Sequence, residues 1–327
     1  MMSGGGHTAQ PVRARFTVVI PTHRRPELLA ECLRSIAGQR RRPDEVVVIS
    51  DGPDSDAAEV ARTAAVPVVF RELPQGGVAR ARNAGIELAT GDWVCFLDDD
   101  DLYHPDFLAE LERYVEAHPD AHAVNAEYWR FANVPGDGID IVGASVGELL
   151  TASVDAVPVT DMSYLHITGR SYELLLHGLR GNLSSTAVRR ELLLAAGRFP
   201  EGRVCAEDWT MFLNVARYAE WHVVPRRLVF MRTHPGNNTS ARPVLNAVHT
   251  LEAIRDVWRQ SERPTPQHPS IDVYRLDYRF MLRSGLASAR RARDWGAYRR
   301  LLTVGAELLP RRADRLRAVV ASATRRS

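Results

Sequence analysis

Four consecutive acids, Asp98, Asp99, Asp100 and Asp101, follow the apolar run "WVCFL" in the stretch "DWVCFLDDDDLYHP" at 92–105. Neighbouring carboxylates repel: two unit charges about 4 Å apart cost about 1 kcal/mol in water and about 4 kcal/mol at an effective dielectric near ~20. Such a run is either a solvated helix start, where acids are favourable, or a cation site. Hard oxygen donors select Mg²⁺ or Mn²⁺, ions often held by one or two carboxylates plus substrate phosphates. A second acidic station stands apart, Glu207-Asp208 in "CAEDWTMFLNVA". It reads as ordinary helix-start chemistry or as an isolated proton acceptor. Asp51 in "ISDG" fits an Asx turn feeding Gly52, or a carboxylate accepting from a nucleobase ring N–H.

The basic side is unusual. All 42 basic residues are Arg; the chain of 327 residues contains no Lys. Schiff-base and pyridoxal-phosphate chemistry and the Walker P-loop all require a Lys, so those classes are excluded. A phosphate here must be held by Arg, backbone N–H groups or a metal. The formal net charge of +2 gives no argument for nucleic acid. Cys32, Cys95 and Cys205 are scattered and match neither a disulfide framework nor a zinc knuckle. A reducing, cytoplasmic setting is expected. The N-terminal stretch lacks the apolar region of a signal peptide, and no apolar run is long enough to span a bilayer.

The elements that must position these acids alternate. Strands are predicted over 16–21, 45–50, 66–73, 93–97 and 121–131, with helices over 26–39, 76–91 and 105–118 and a shorter one after 51. Strand–helix units in series predict an α/β fold with a mostly parallel sheet, whose ligands bind off the carboxyl ends of the strands. Pro21-Thr22-His23, Asp51-Gly52 and Asp98 to Asp100 stand at three of those ends. Further on, "RSYELLLHGLRG", "AVRRELLLAAGRF" and 206–221 read as helical, and 222–234 as two strands broken at Pro225. The expected organisation is a disordered segment at 1–14, a catalytic domain at 15–240 divided near 133, and a helical region at 241–327.

Taken together, the pieces "VVIPTHRRPELLAECLRSI", "VVVISDG", "GGVARARNAGIELATGDWVCFLDDDDLYHPDFL", "AAGRFPEG…CAEDWTMFLNVA" and "MRTHPGNNTS" resemble, in order, glycosyltransferase family 2, over about residues 16–240. The resemblance implies a GT-A fold, Rossmann-like, with a nucleotide-sugar-binding half at 15–133 and an acceptor-binding half at 134–240. It implies inverting transfer from a nucleoside-diphosphate sugar, with Mn²⁺ or Mg²⁺ as cofactor. Pro21, Thr22, Arg24, Asp51, Arg82, Asp98 and Asp99 then fall on the donor, Asp98, Asp100 and His234 on the metal, and Asp208 is the catalytic base. The family's frequent Tyr-Asn after Pro-Thr is His23-Arg24 here, which puts the nucleotide in question; UDP- or dTDP-sugars are favoured.

Elementary chemistry asks for the same two acidic stations. One carboxylate takes the acceptor's proton, and a separate cluster with its metal offsets the leaving diphosphate. A nucleotidyltransferase or a non-catalytic sugar-nucleotide-binding protein are the rivals. Several residues keep two readings. Arg80 and Arg82 are solvated or touch the donor, and His234 is a turn residue or a ligand. Trp209, Tyr164, His166 and Tyr172 pack or face an acceptor, which is a glycan, glycolipid or small molecule. The Arg-rich C-terminal helices cover the domain, join copies in a homo-oligomer, or rest on an anionic membrane as a peripheral contact. Among the last 17 residues, six are Arg and one is acidic.

Overall fold

The computed structural model describes residues 13–151, 169–178, 181–234, 242–259, 271–309 and 311–324. The first half alternates as predicted: β1 Phe16–Thr22, α1 Pro26–Ala37, β2 Glu45–Asp51, α2 Ser55–Thr63, β3 Val69–Leu73, α3 Val78–Leu88 and β4 Trp93–Phe96. All seven residues of β1 are buried, because helices cover both faces of a parallel sheet. Gly85 lets α3 lie directly on β1; a Cβ there would sit 2.3 Å from Val19 Cγ1. The parallel order β3-β2-β1-β4 brings the carboxyl ends of β1, β2 and β4 together at one edge.

The second half departs from a simple parallel sheet. Its elements are β5 Leu102–Tyr103, α4 Phe107–Ala117, β6 Ala123–Ala132, β7 Ile141–Val142, α5 Val146–Leu149, α6 Ser171–His177, a 3-10 turn Leu183–Ser185, β8 Thr186–Arg189, α7 Arg190–Ala195, α8 Glu207–Ala216 and β9 Trp221–Arg232. The sheet continues β4-β8-β6-β9-β5, with β7 beside β6. β8 is antiparallel to both β4 and β6, and β5 to β9, while β6 and β9 are parallel.

Three expectations change. The predicted helix "AVRRELLLAAGRF" begins as strand β8: Ala187 and Val188 fill a buried slot between β4 and β6, and the helix starts only at Arg190. The chain at 221–232 is one strand, not two. Its pairing passes from Val224 opposite Ala126 to Arg227 opposite Glu127, so Pro225 sits in a bulge where its missing N–H costs no ladder bond. The four acids do not open a helix. They form the turn between β4 and β5, and α4 begins at Phe107.

Four helices follow: α9 Pro243–Arg259, α10 Ile271–Arg291, α11 Trp295–Leu308 and α12 Arg312–Thr324. Val248, Leu251, Ile254, Tyr274, Tyr278, Leu282 and Leu301 join one apolar cluster with Trp209, Phe212 and Trp221. The C-terminal helices therefore cover the half that carries α8. Trp209 is a core residue, the packing one of its two readings, and Cys95 is buried in the core as well.

Candidate active site

The acid turn is tied down from several sides. Thr22, at the end of β1, donates its hydroxyl to Asp99 Oδ2 at 2.8 Å. Arg25 Nη1 reaches Asp99 Oδ1 at 3.2 Å and Asp100 Oδ2 at 3.0 Å. His234 Nε2 lies 3.0 Å from the same Asp100 Oδ2. Ser184, in the 3-10 turn, donates to Asp101 Oδ2 at 2.6 Å and accepts from the Asp98 amide at 3.1 Å. The Arg232 amide, closing β9, donates to Asp101 Oδ1 at 2.9 Å. The repulsion in the run is thus offset by Arg25, Arg82 and directed donors. Burial and the neighbouring Asp100 still push the Asp99 carboxyl up to about 6, against Arg25 and Thr22. Burial, then Asp100 and Asp98, push Asp101 well above the carboxylate range.

One carboxylate oxygen each from Asp98, Asp100 and Asp101 lies within 4.8 Å of the others. Three hard donors at that spacing, beside an imidazole, fit a divalent cation such as Mg²⁺ or Mn²⁺. Asp101 is an unforeseen member, and it also carries the turn's structural bonds.

Arg82, on α3, is the centre of the site. It is 4% exposed, so the solvated reading fails for it, whereas Arg80 is less enclosed and reaches the Pro74 carbonyl. Its Nη2 donates to Asp98 Oδ1 at 2.7 Å and its Nη1 to Glu207 Oε1 at 2.9 Å. The guanidinium carbon lies 5.4 Å from the Phe199 ring centroid. Burial opposes the charge, but Asp98 and Glu207 more than offset it and hold the guanidinium above its ordinary pKa. One side chain therefore spans both acidic stations.

Glu207 and Asp208 open α8. Ala206 before them takes a left-handed backbone, φ 62°, which an L-residue with a Cβ adopts only under constraint. His249 of α9 supplies part of that constraint: its Nδ1 accepts from the Val204 and Cys205 amides, 3.3 Å each. Asp208 Oδ1 accepts from the Trp209 amide at 2.6 Å. The enclosing protein and the adjacent Glu207 push the Asp208 carboxyl up to about 7, against the pull of Arg82. A carboxyl in that range can take a proton near neutrality and release it again.

Asp51 lies at the end of β2. Its Oδ1 accepts from the Gly76 amide at 2.6 Å, and its Oδ2 from the Gly77 amide at 2.9 Å. These amides lead into α3, a natural anion position, and Gly77 supplies the φ of +92° that the geometry needs. His23 Nδ1 lies 2.7 Å from the Asp51 carbonyl oxygen. Pro21 is buried within β1. Arg24 has an exposed side chain and a left-handed backbone whose amide donates to Asp54 Oδ2 at 3.0 Å; the guanidinium among the acids is its neighbour's, Arg25. Tyr172 is partly buried against the core beneath Arg217. Tyr164 and His166 lie outside the described residues.

Residues 17–138 match the family model described as "Glycosyl transferase family 2". The chain is 31% identical over 118 residues to "Uncharacterized glycosyltransferase YwdF" of Bacillus subtilis (strain 168), covering 35% of this chain and 44% of that protein. It spans less than half the length of that curated relative. Among solved structures, the mannosyltransferase PcManGT from Pyrobaculum calidifontis, in complex with GDP-Man and Mn²⁺, superposes with a TM-score of 0.58 at 21% identity, over 96% of this chain and 87% of that one. S. aureus TarS 1–349, in complex with UDP-GlcNAc, gives 0.53 at 18% identity, over 89% and 91%. The GT-A fold and the family resemblance read from the motifs are thus shown, the latter over the segment that holds β1 to β6.

Proposed function

With residues 17–138 matching glycosyl transferase family 2 on a GT-A fold, we propose that this protein is a metal-dependent, inverting glycosyltransferase. It moves a sugar from a nucleoside-diphosphate sugar, UDP or dTDP favoured, to an acceptor hydroxyl. The observation that carries the reading is the Arg82 bridge, which sets a metal-competent acid turn and a separate carboxyl of near-neutral pKa on either side of one buried cation.

The parts divide the work. Asp98 and Asp100, with His234 beside Asp100, would hold the divalent ion; when bound, such an ion acts as a Lewis acid on the diphosphate. Thr22 and Asp51 line the strand ends where the nucleoside would lie, and Asp99 faces its ribose or sugar. Asp208 accepts the proton of the acceptor hydroxyl as that oxygen attacks the anomeric carbon from the face opposite the leaving group. The bond to the diphosphate oxygen breaks as the new glycosidic bond forms, so configuration inverts. Arg25 and Arg82 keep cationic charge beside the site in a chain without Lys. The acceptor is a glycan, glycolipid or small molecule.

A thermal-shift panel of UDP, dTDP, GDP and CDP, each with Mn²⁺ and then with chelator, tests this. A nucleotide at about 100 times its dissociation constant adds about 2.7 kcal/mol of stability. Stabilisation by one nucleotide only with metal is the expected result. No metal-dependent stabilisation by any of the four would overturn the reading.

A further inference from the structure

We propose that the outer face of α10 docks this protein on an anionic lipid surface. The inner side of α10 buries Tyr274, Tyr278, Leu282 and Leu286. Its outer side leaves Val273, Leu276 and Phe280 55–56% exposed, at the i, i+3, i+7 spacing of one helical row. On α12, joined to α10 by the Arg279–Asp314 pair, Leu316 and Val320 are exposed too, at 54% and 61%. A helix that buries one side against a core ordinarily keeps charge on the other. Five large apolar side chains on two adjoining helices mark a contact surface.

The charge around this row identifies the occupant. Residues 271–327 hold fourteen Arg and five acids, a net +9, while the whole chain is only +2; residues 1–270 are therefore net −7. Arg279 and Arg283, three positions on from Leu276 and Phe280, flank the row, and the Arg283 guanidinium carbon lies 5.3 Å from the Phe280 ring centroid. Two acids on these helices are turned to partners: Asp277 to His177 Nδ1 at 2.7 Å and Asp314 to Arg279 at 3.2 Å. An apolar row inside a basic rim matches the boundary of an anionic bilayer, where acyl chains take the apolar side chains and headgroups take the guanidiniums. Among the described residues no helix is long and apolar enough to cross a membrane, so the contact lies in the interface. A second copy would set net +9 against net +9. A nucleic acid would engage the arginines and leave the aliphatic row in water.

Co-sedimentation of the full chain with phosphatidylcholine vesicles, and with mixed phosphatidylglycerol–phosphatidylcholine vesicles, tests the assignment. Binding to the mixed vesicles alone, weakened by salt, is expected. Phe280→Ser and Leu276→Ser should each reduce partitioning about tenfold with the melting temperature unchanged. Arg283→Glu, a charge reversal at the rim, should reduce it as well. Absence of binding to mixed vesicles, equal binding to neutral ones, or partitioning that Phe280→Ser leaves intact would overturn the proposal. So would a stable dimer that Phe280→Ser dissociates, since the occupant would then be a second copy. None of these readouts depends on a donor or an acceptor, so failure here is distinct from failure of the glycosyltransferase reading.

Discussion

Arg82 and Glu207, 125 positions apart in sequence, meet in a buried 2.9 Å ion pair, and the other prong of the same guanidinium holds Asp98. This contact joins α3, which packs on β1 and β2, to the helix that presents Asp208. Removing one partner of a buried pair leaves an uncompensated charge and costs about 3–5 kcal/mol. Arg82→Met should therefore unfold at markedly lower urea concentration. Glu207→Gln added to it should recover part of the loss, because the stranded carboxylate is gone. Equal stability of parent and Arg82→Met would show that the pair contributes nothing.

Asp208 gives opposite signs for activity and stability. In the proposed role of base it must be ionised, so kcat/KM should rise with pH through an apparent pKa of about 7. In the fold its carboxyl sits above the ordinary 3.8, so the protonated form is the one the fold favours. Its contribution to stability is complete below the ordinary value and is lost as pH climbs through about 7. Asp208→Asn should lower kcat by about two to four powers of ten while donor binding persists. The variant should also lose less stability than the parent as pH rises from about 4 to about 7. A pH–rate profile with chemical denaturation at the same pH values checks both.

The acid turn predicts a division of labour between neighbours. Asp100→Ala removes a metal-competent oxygen that also meets Arg25 and His234, and metal-dependent donor binding should vanish with the fold retained. Asp101→Ala instead strands the Ser184 hydroxyl and the Arg232 amide, so it should destabilise the protein by about 1–3 kcal/mol. Calorimetric titration with Mn²⁺ and donor, beside a melting curve, separates the two. Donor binding unaltered in Asp100→Ala would remove that residue from the metal site.

Much of this site was legible because its acids stand where strands end. The apolar runs of β1, β2 and β4 are continuous and bounded, and Asp51 and Asp98 follow directly. Less legible was whatever depends on contacts across the chain. Arg25 looks like any residue before a helix-starting Pro; only the fold carries it to Asp99, 74 positions on. Asp101 and Ser184 are 83 apart, and no local pattern links them. Strand β8 was missed because Thr186–Arg189 is too short to show a period of two beside the leucines of α7. The break expected at Pro225 came from a sound rule about proline, which the parallel partner β6 accommodates with a bulge.

Asp51 and Gly77 supply the last prediction. The Asp51 carboxylate accepts from both the Gly76 and Gly77 amides, so it secures the loop that starts α3 whether or not it also reads a base. At Gly77 an added Cβ meets nothing within 4 Å, and only the φ of +92° opposes it. Gly77→Ala should therefore cost about 1–3 kcal/mol of backbone strain without any clash. Asp51→Asn replaces one accepting oxygen with an NH₂ that faces an amide donor, so it should loosen the same loop. If Asp51 also accepts from the nucleobase, Asp51→Asn will lose donor affinity beyond that of Gly77→Ala and change the order of preference among UDP, dTDP, GDP and CDP. If the two variants weaken all four nucleotides alike, Asp51 acts on the loop alone, and base selection passes to its neighbours on the strand ends, His23 first among them.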